Sequence, residues 1–206
     1  AGTYTVYVKD INGCVSTAVL TIGATFTDSR DGAVYGMVTI GAQIWMAENL
    51  RYNAAGSFLN PANPNPIYGR LYSWTVLMNG AASSAANPSG VQGICPAGWH
   101  LPSDAEWSEL EIAHGMNSND ATTTSFRGSH GLDMKSTTGW LSGTNGYSTY
   151  GFSAYPAGWR PATGFQDIES YTVFWSATTS TAGSAWTRNM IYNNFNLTSF
   201  SKIIKD

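Results

Sequence analysis

Residues 95–107, Cys-Pro-Ala-Gly-Trp-His-Leu-Pro-Ser-Asp-Ala-Glu-Trp, constrain the fold more than any other part of the chain. Ser103 followed three residues later by Glu106 is a capping box: the hydroxyl accepts from an N–H of the first turn, and the carboxylate accepts from the N–H of Ser103. A helix therefore begins here. Pro102 and Trp107 hold the staple positions around the start, and Trp107, Leu110, Ala113 and His114 keep helical spacing until Gly115 ends the run. The stretch also holds a Cys, a His, an Asp and a Glu, but cap, staple and Trp anchor account for most of it as scaffold.

Around this helix the pattern is one of short strands and long loops. Tyr4, Val6 and Val8 alternate with Thr5 and Tyr7, Asn12-Gly13 makes a turn, and Val15 to Ile22 alternates again, which predicts an N-terminal β-hairpin. Ala33–Thr39 and Gln43–Ala47 predict a second pair of strands around Ile40, Gly41 and Ala42. Asn60 to Pro66 holds three prolines in seven residues, so it reads as a surface loop. Gly69 to Asn79 carries Leu71, Trp74, Thr75 and Met78 at helical spacing and predicts a first helix ending at Gly80. Ala81–Gly93 and Asn117–Ser129 read as polar loops, and the remainder alternates aromatic strand fragments with Gly, Ser and Thr. The expectation is an α+β fold with two helices, short twisted antiparallel strands, long loops and an N-terminal hairpin.

The signature at Cys95 to Trp107, together with DGAVYGMVTIGAQIWMAENLRY from Asp31, YGRLYSWTVLM from Tyr68, MKSTTGW from Met134, YGFSAYPAGWR from Tyr150 and FWSATTSTAGSAW from Phe174, resembles the Fibrobacter succinogenes major paralogous domain. That family comprises secreted and surface modules, and the resemblance runs from about residue 24 to the end. It implies a C-type-lectin-like fold, shared with formylglycine-generating enzymes, whose helix opens with a comparable Leu-Pro-x-x-x-Glu-Trp pattern. Family members usually close with a strand of the type Gly-Phe-Ser-Val-Arg-Cys. This sequence ends Ser-Lys-Ile-Ile-Lys-Asp, so the resemblance implies that the last strand is lacking. Residues 1–23 resemble the closing hairpin of an immunoglobulin-like surface repeat. The expected division is 1–23 for that remnant and 24–206 for the lectin-like module, the whole being a piece of a longer protein.

Composition narrows the partners. The charged fraction is 11% with a net charge of −3, so no basic surface is available to neutralise a phosphate backbone, and nucleic acid is not an expected partner. No run approaches the roughly 18 apolar residues that span a bilayer, so direct membrane insertion is not expected. Low charge with eight Trp and eleven Tyr fits an extracellular or bacterial cell-surface module made soluble by hydroxyls and amides. Cys14 and Cys95 can pair with each other or stay free; the resemblance instead implies that the partner of Cys95 would lie in the closing strand, which favours free thiols here.

Each candidate for chemistry has a plainer reading beside it. His100, His114 and His130 lack a second His or Cys at zinc-site spacing; His100 reads as a packed core-edge residue and His114 as a favourable charge at a helix C-terminus. Asp28, Asp31 and Gly32 mimic part of a calcium loop but read as a turn. Asp167 and Glu169, the close acidic pair of the second half, read as a solvated loop. Formylglycine-generating relatives resemble this chain in fold but depend on a C-terminal cysteine pair that holds copper, and no cysteine follows Cys95. No cofactor, metal or catalytic residue is therefore expected. The segment 174–197 combines Trp175, Trp186, Arg188, Tyr192, Asn193, Asn194 and Asn196, where aromatic rings for stacking meet amides and Arg for directional hydrogen bonds. These seven are the expected ligand-binding residues, although Trp175 and Trp186 also suit core anchors. The expected function is non-enzymatic adhesion to, or binding of, an extracellular glycan or protein ligand. The alternatives are an assembly subunit that binds neighbouring surface proteins and a divergent formylglycine-generating-type enzyme.

Overall fold

The computed structural model describes residues 2–9, 15–124, 126–192 and 197–204. It is an α+β protein with three antiparallel sheets among the described residues. Strands β1 (Gly2–Lys9) and β2 (Val15–Ile22) pair over their full length, from Gly2 opposite Ile22 to Lys9 opposite Val15, as the alternation predicts. Strands β3 (Ala24–Thr27), β4 (Val34–Ile40) and β5 (Gln43–Met46) follow in the order β3-β4-β5. The β4–β5 turn falls at Gly41-Ala42, where Gly41 adopts φ 59° and Ala113 lies close by.

Four α-helices appear among the described residues rather than two. The first, α1, spans only Trp74–Met78, because Ser73 caps it by accepting from Val76 N at 3.3 Å. Gly69 to Tyr72 is not helical as expected; Leu71 instead pairs across an isolated bridge with Phe58. The signature helix α2 runs Asp104–Ala113 with both halves of its capping box formed: Ser103 Oγ accepts from Glu106 N at 3.2 Å, and Glu106 Oε2 accepts from Ser103 N at 2.9 Å. The single turn α3 (Ser118–Ala121) and the two-residue strand β6 (Phe126–Arg127) fill what the polar composition marked as loop, and the single turn α4 (Gly131–Met134) falls in the remainder, expected to alternate strand fragments with Gly, Ser and Thr. Such short elements have too little periodicity to register in a sequence.

The third sheet is built by β6, β7 (Tyr171–Thr181), β8 (Ser184–Ile191) and β9 (Leu197–Ile204) in the order β6-β9-β8-β7. Strand β9 is interior to it, with Thr187 opposite Phe200 and Phe126 opposite Thr198. Helix α2 lies across this sheet and drives Trp107 and Leu110 into a core with Ile40, Met134, Trp140, Phe152 and Met190. Trp107 is its centre, with ring centroids of Trp45, Phe174 and Phe152 at 4.9, 5.7 and 6.1 Å. A second cluster joins Leu77 and Met78 of α1 to Val91, Ile94, Cys95 and Leu101. Gly93 is required there, since a Cβ on it would lie 2.1 Å from Leu77 O. No helix among the described residues is long and apolar enough to cross a membrane.

Candidate functional site

Between these clusters lies a cleft of about 1500 Å³. Its main walls are β5 and the residues after it, the stretch from Arg70 to Trp74, the signature from Gly98 to Trp107, the loop from Ala157 to Ala162, and the start of β7, and Phe58, Asn87, Pro88, Phe152 and Ser153 also line it. Its lining is dominated by aromatic rings, among them Trp45, Trp74, Trp99, Trp159 and Trp175 with Tyr72 and Phe58. Most of these indoles are fixed by internal hydrogen bonds. Trp175 Nε1 donates to Tyr72 O at 3.0 Å, Trp74 Nε1 to Ser176 O at 3.0 Å, Trp45 Nε1 to Gln43 Oε1 at 3.0 Å and Trp159 Nε1 to Asp167 Oδ2 at 2.8 Å. With the polar edge engaged inside the protein, a ring offers its apolar surface to the cleft, and binding need not freeze it again.

The polar groups divide by whether the protein already satisfies them. Glu106 accepts from Ser103 N, from Ser89 N at 3.0 Å and pairs with His100 Nε2 at 2.7 Å. Glu109 Oε2 accepts from Gln43 Nε2 at 3.2 Å and Asn87 Nδ2 at 2.9 Å, and Glu48 accepts from Arg51 at 2.9 Å and Gly36 N at 3.0 Å. Arg70 donates to Ser57 Oγ at 2.8 Å and Ser57 O at 3.2 Å. Arg160 lies with its guanidinium carbon 3.7 Å from the centroid of Phe58 and 5.5 Å from that of Phe165. The loop that carries Trp159 and Arg160 turns at Gly158, with φ 72°, where a Cβ would fall 2.3 Å from Gln166 O. Burial, reinforced by Asp167, pushes the Tyr171 phenol up to about 12, and burial raises Tyr72 further, so both stay neutral donors at physiological pH. Burial likewise pushes the Cys95 thiol up to about 12, the opposite of what a reactive cysteine needs.

Of the four expected binding residues that the structure describes, only Trp175 lines this cleft. Arg188 is 1% exposed and belongs elsewhere. It donates to Glu111 Oε1 and, at 2.6 Å, to Asp104 Oδ1; Arg127 reaches Glu111 Oε2 at 2.5 Å. Its expected place on an exposed binding face is thus corrected: in β8, Arg188 shares with Met190 and the cross-strand residue Phe174 the face that α2 covers. Trp186 is half-buried on β8, and Tyr192 is half-buried against the core around Met190. Asn193, Asn194 and Asn196, like Cys14, lie outside the described residues. His100 is exposed rather than packed, and His114 is 4% exposed, donating from Nδ1 to Leu110 O at 2.9 Å. Asp28 makes the expected turn, accepting from Arg30 at 2.6 Å. Among the described residues no three His, Cys, Asp or Glu side chains converge as metal ligands would.

Sequence reasoning missed Arg70, Trp159 and Arg160. The signal was present in Tyr-Gly-Arg-Leu-Tyr and Ala-Gly-Trp-Arg, two arginines set among aromatics, but nothing local joins segments 90 residues apart. The family model described as Fibrobacter succinogenes major domain matches residues 38–203, most of the chain. No curated protein and no solved structure matches it.

Proposed function

The chain belongs to the Fibrobacter succinogenes major domain family, and from that premise we propose that it is a non-enzymatic ligand-binding or adhesion module of a bacterial cell-surface protein. One observation carries this reading: a preformed cleft of about 1500 Å³ whose walls are indole and phenol rings held in place by internal hydrogen bonds. The cleft carboxylates Glu106 and Glu109 are engaged by protein donors, which suits a scaffold role better than acid–base chemistry. A C-type-lectin-like assignment of residues 24–206, with 1–23 as the end of an immunoglobulin-like repeat, completes the proposal. It is supported by the mixed architecture of short antiparallel strands around α2 and by the separate β1–β2 sheet. Extracellular placement is supported by the 11% charged fraction and the abundance of hydroxyl, amide and aromatic residues.

The test is a glycan and matrix-protein array probed with the full chain, with and without calcium. Selective binding that Trp159→Ala abolishes is expected; absence of selective binding at every calcium level sinks the reading. A second reading, an assembly subunit of a surface appendage, is favoured by the β1–β2 hairpin, a two-stranded sheet with no further strand partner among the described residues. Cross-linking that traps this hairpin against another polypeptide would favour it. A divergent formylglycine-generating-type enzyme ranks last, because the Cys95 thiol is buried and pushed up to about 12.

A further inference from the structure

The six arginines of the chain fall into two groups. Arg30 pairs with Asp28, Arg51 with Glu48, Arg127 with Glu111, and Arg188 with both Asp104 and Glu111. Arg70 and Arg160 have no carboxylate partner among the described residues, and both line the aromatic cleft. Their contacts fall on consecutive residues, Arg70 donating to Ser57 and Arg160 stacking on Phe58. Arg160 is exposed, and stacking leaves the hydrogen-bonding edge of its guanidinium open. The carboxylates of the cleft differ, since each already accepts a hydrogen bond from the protein: Glu48 from Arg51, Glu106 from the N–H groups of Ser89 and Ser103, Glu109 from Gln43 and Asn87, and Asp167 from Trp159 Nε1. Of the charged side chains that line the cleft, Arg160 is therefore the one without a hydrogen-bond partner among the described residues, and it lies against Phe58.

Resting on the ligand-binding reading above, we propose that the ligand is an acidic glycan, a chain of sugar rings carrying carboxylates. Sugar rings lie against the indole faces of Trp159 and Trp175, while a carboxylate docks on Arg160 and Arg70. Stacking supplies apolar contact without charge, and the planar guanidinium supplies a bidentate match to a carboxylate. An isolated arginine on a surface would say nothing of this kind. Two arginines without a carboxylate partner among the described residues, one stacked on Phe58 and one bonded to Ser57 beside it in sequence, line a ring-walled cleft in a protein that pairs every other arginine described, and they select for the opposite charge.

The proposal is tested by calorimetric titration of the full chain with three probes: a galacturonic acid hexamer, the neutral cellohexaose, and a hexaglutamate peptide. The uronate is expected to bind at least about 10-fold more tightly than the neutral hexamer, with a charge-assisted contact supplying the difference. Arg160→Gln is expected to weaken uronate binding by about 10-fold and leave cellohexaose unchanged; being exposed, this position does not put the fold at risk. Raising ionic strength from about 0.05 to about 0.5 M should weaken the uronate alone. Cellohexaose binding as tightly as the uronate, or an uronate affinity untouched by Arg160→Gln and by salt, overturns the charge assignment while leaving a binding cleft. Hexaglutamate binding without the uronate overturns it in favour of an acidic peptide. No binding of any probe, together with no selective binding in the array, overturns both this proposal and the function beneath it.

Discussion

Arginines serve opposite ends in two neighbouring regions of this protein. Beside α2, Glu111 is 0% exposed and holds Arg127 and Arg188, with Asp104 closing the set from the helix N-terminus. In the cleft, Arg70 and Arg160 rest on Ser57 and Phe58 with no carboxylate among the described residues. The residue type is the same and its surroundings decide the role. A buried charge must be neutralised where it lies, because desolvation costs several kcal/mol per ion. A charge at a cleft wall keeps its water and can exchange it for a ligand. Burial is the largest influence on Arg127 and pulls its pKa down against Glu111, which shows how closed the first region is.

The comparison breaks or sharpens in four measurements, and the first should be the most damaging. Glu111→Ala strands two buried guanidiniums, so unfolding in urea should show a loss of about 3–5 kcal/mol; a loss below about 1 kcal/mol would mean that water reaches the network. Ser103→Ala removes one half of the cap that starts the helix carrying Asp104 and Glu111, and should cost about 1 kcal/mol with the cleft intact. Binding unchanged in that variant would separate helix stability from the site.

The third measurement uses pH. His114 is held below its ordinary value of 6.5 chiefly by burial, against the pull of its hydrogen bond to Leu110 O and of Asp133. Its folded form is the neutral imidazole, so its contribution is complete above pH 6.5 and declines as the pH falls below that value toward the lowered folded pKa. Thermal melts across this window should show the decline, and His114→Phe should flatten it. Asp28 is held low by Arg30, so its contribution fades only at more acidic pH, as the pH falls below 3.8 toward its lowered folded pKa. The smallest effect belongs to Arg160→Gln, which should move stability by no more than about 0.5 kcal/mol. A larger loss would show that Arg160 belongs with the structural arginines after all.

How much of this was legible depends on how far apart the deciding groups sit. The capping box needs only Ser103 and Glu106, and both bonds form. The two hairpins need only alternation and a turn, and their registers follow. The first helix was overextended because Leu71 fits a helical stripe as well as it fits the bridge to Phe58, and only the partner decides between them. For the candidate site, the rings of segment 174–197 were right in kind, but among its described residues only Phe174, Trp175 and Asn189 line the cleft. A strand shows its two faces alternately, yet both faces of β8 are covered, so polarity no longer marks which one is outside.

From the sequence alone came the start of α2, the antiparallel hairpins, the family and the low-charge, ring-rich character of the chain, since each rests on neighbours within a few residues or on composition. The tertiary structure decided which arginines are structural. Arg188 finds Glu111 across 77 residues and Asp104 across 84, while Arg160 reaches no carboxylate among the described residues. Charge pairing is settled by proximity in space, and proximity over such separations is created only when the core around Trp107 closes.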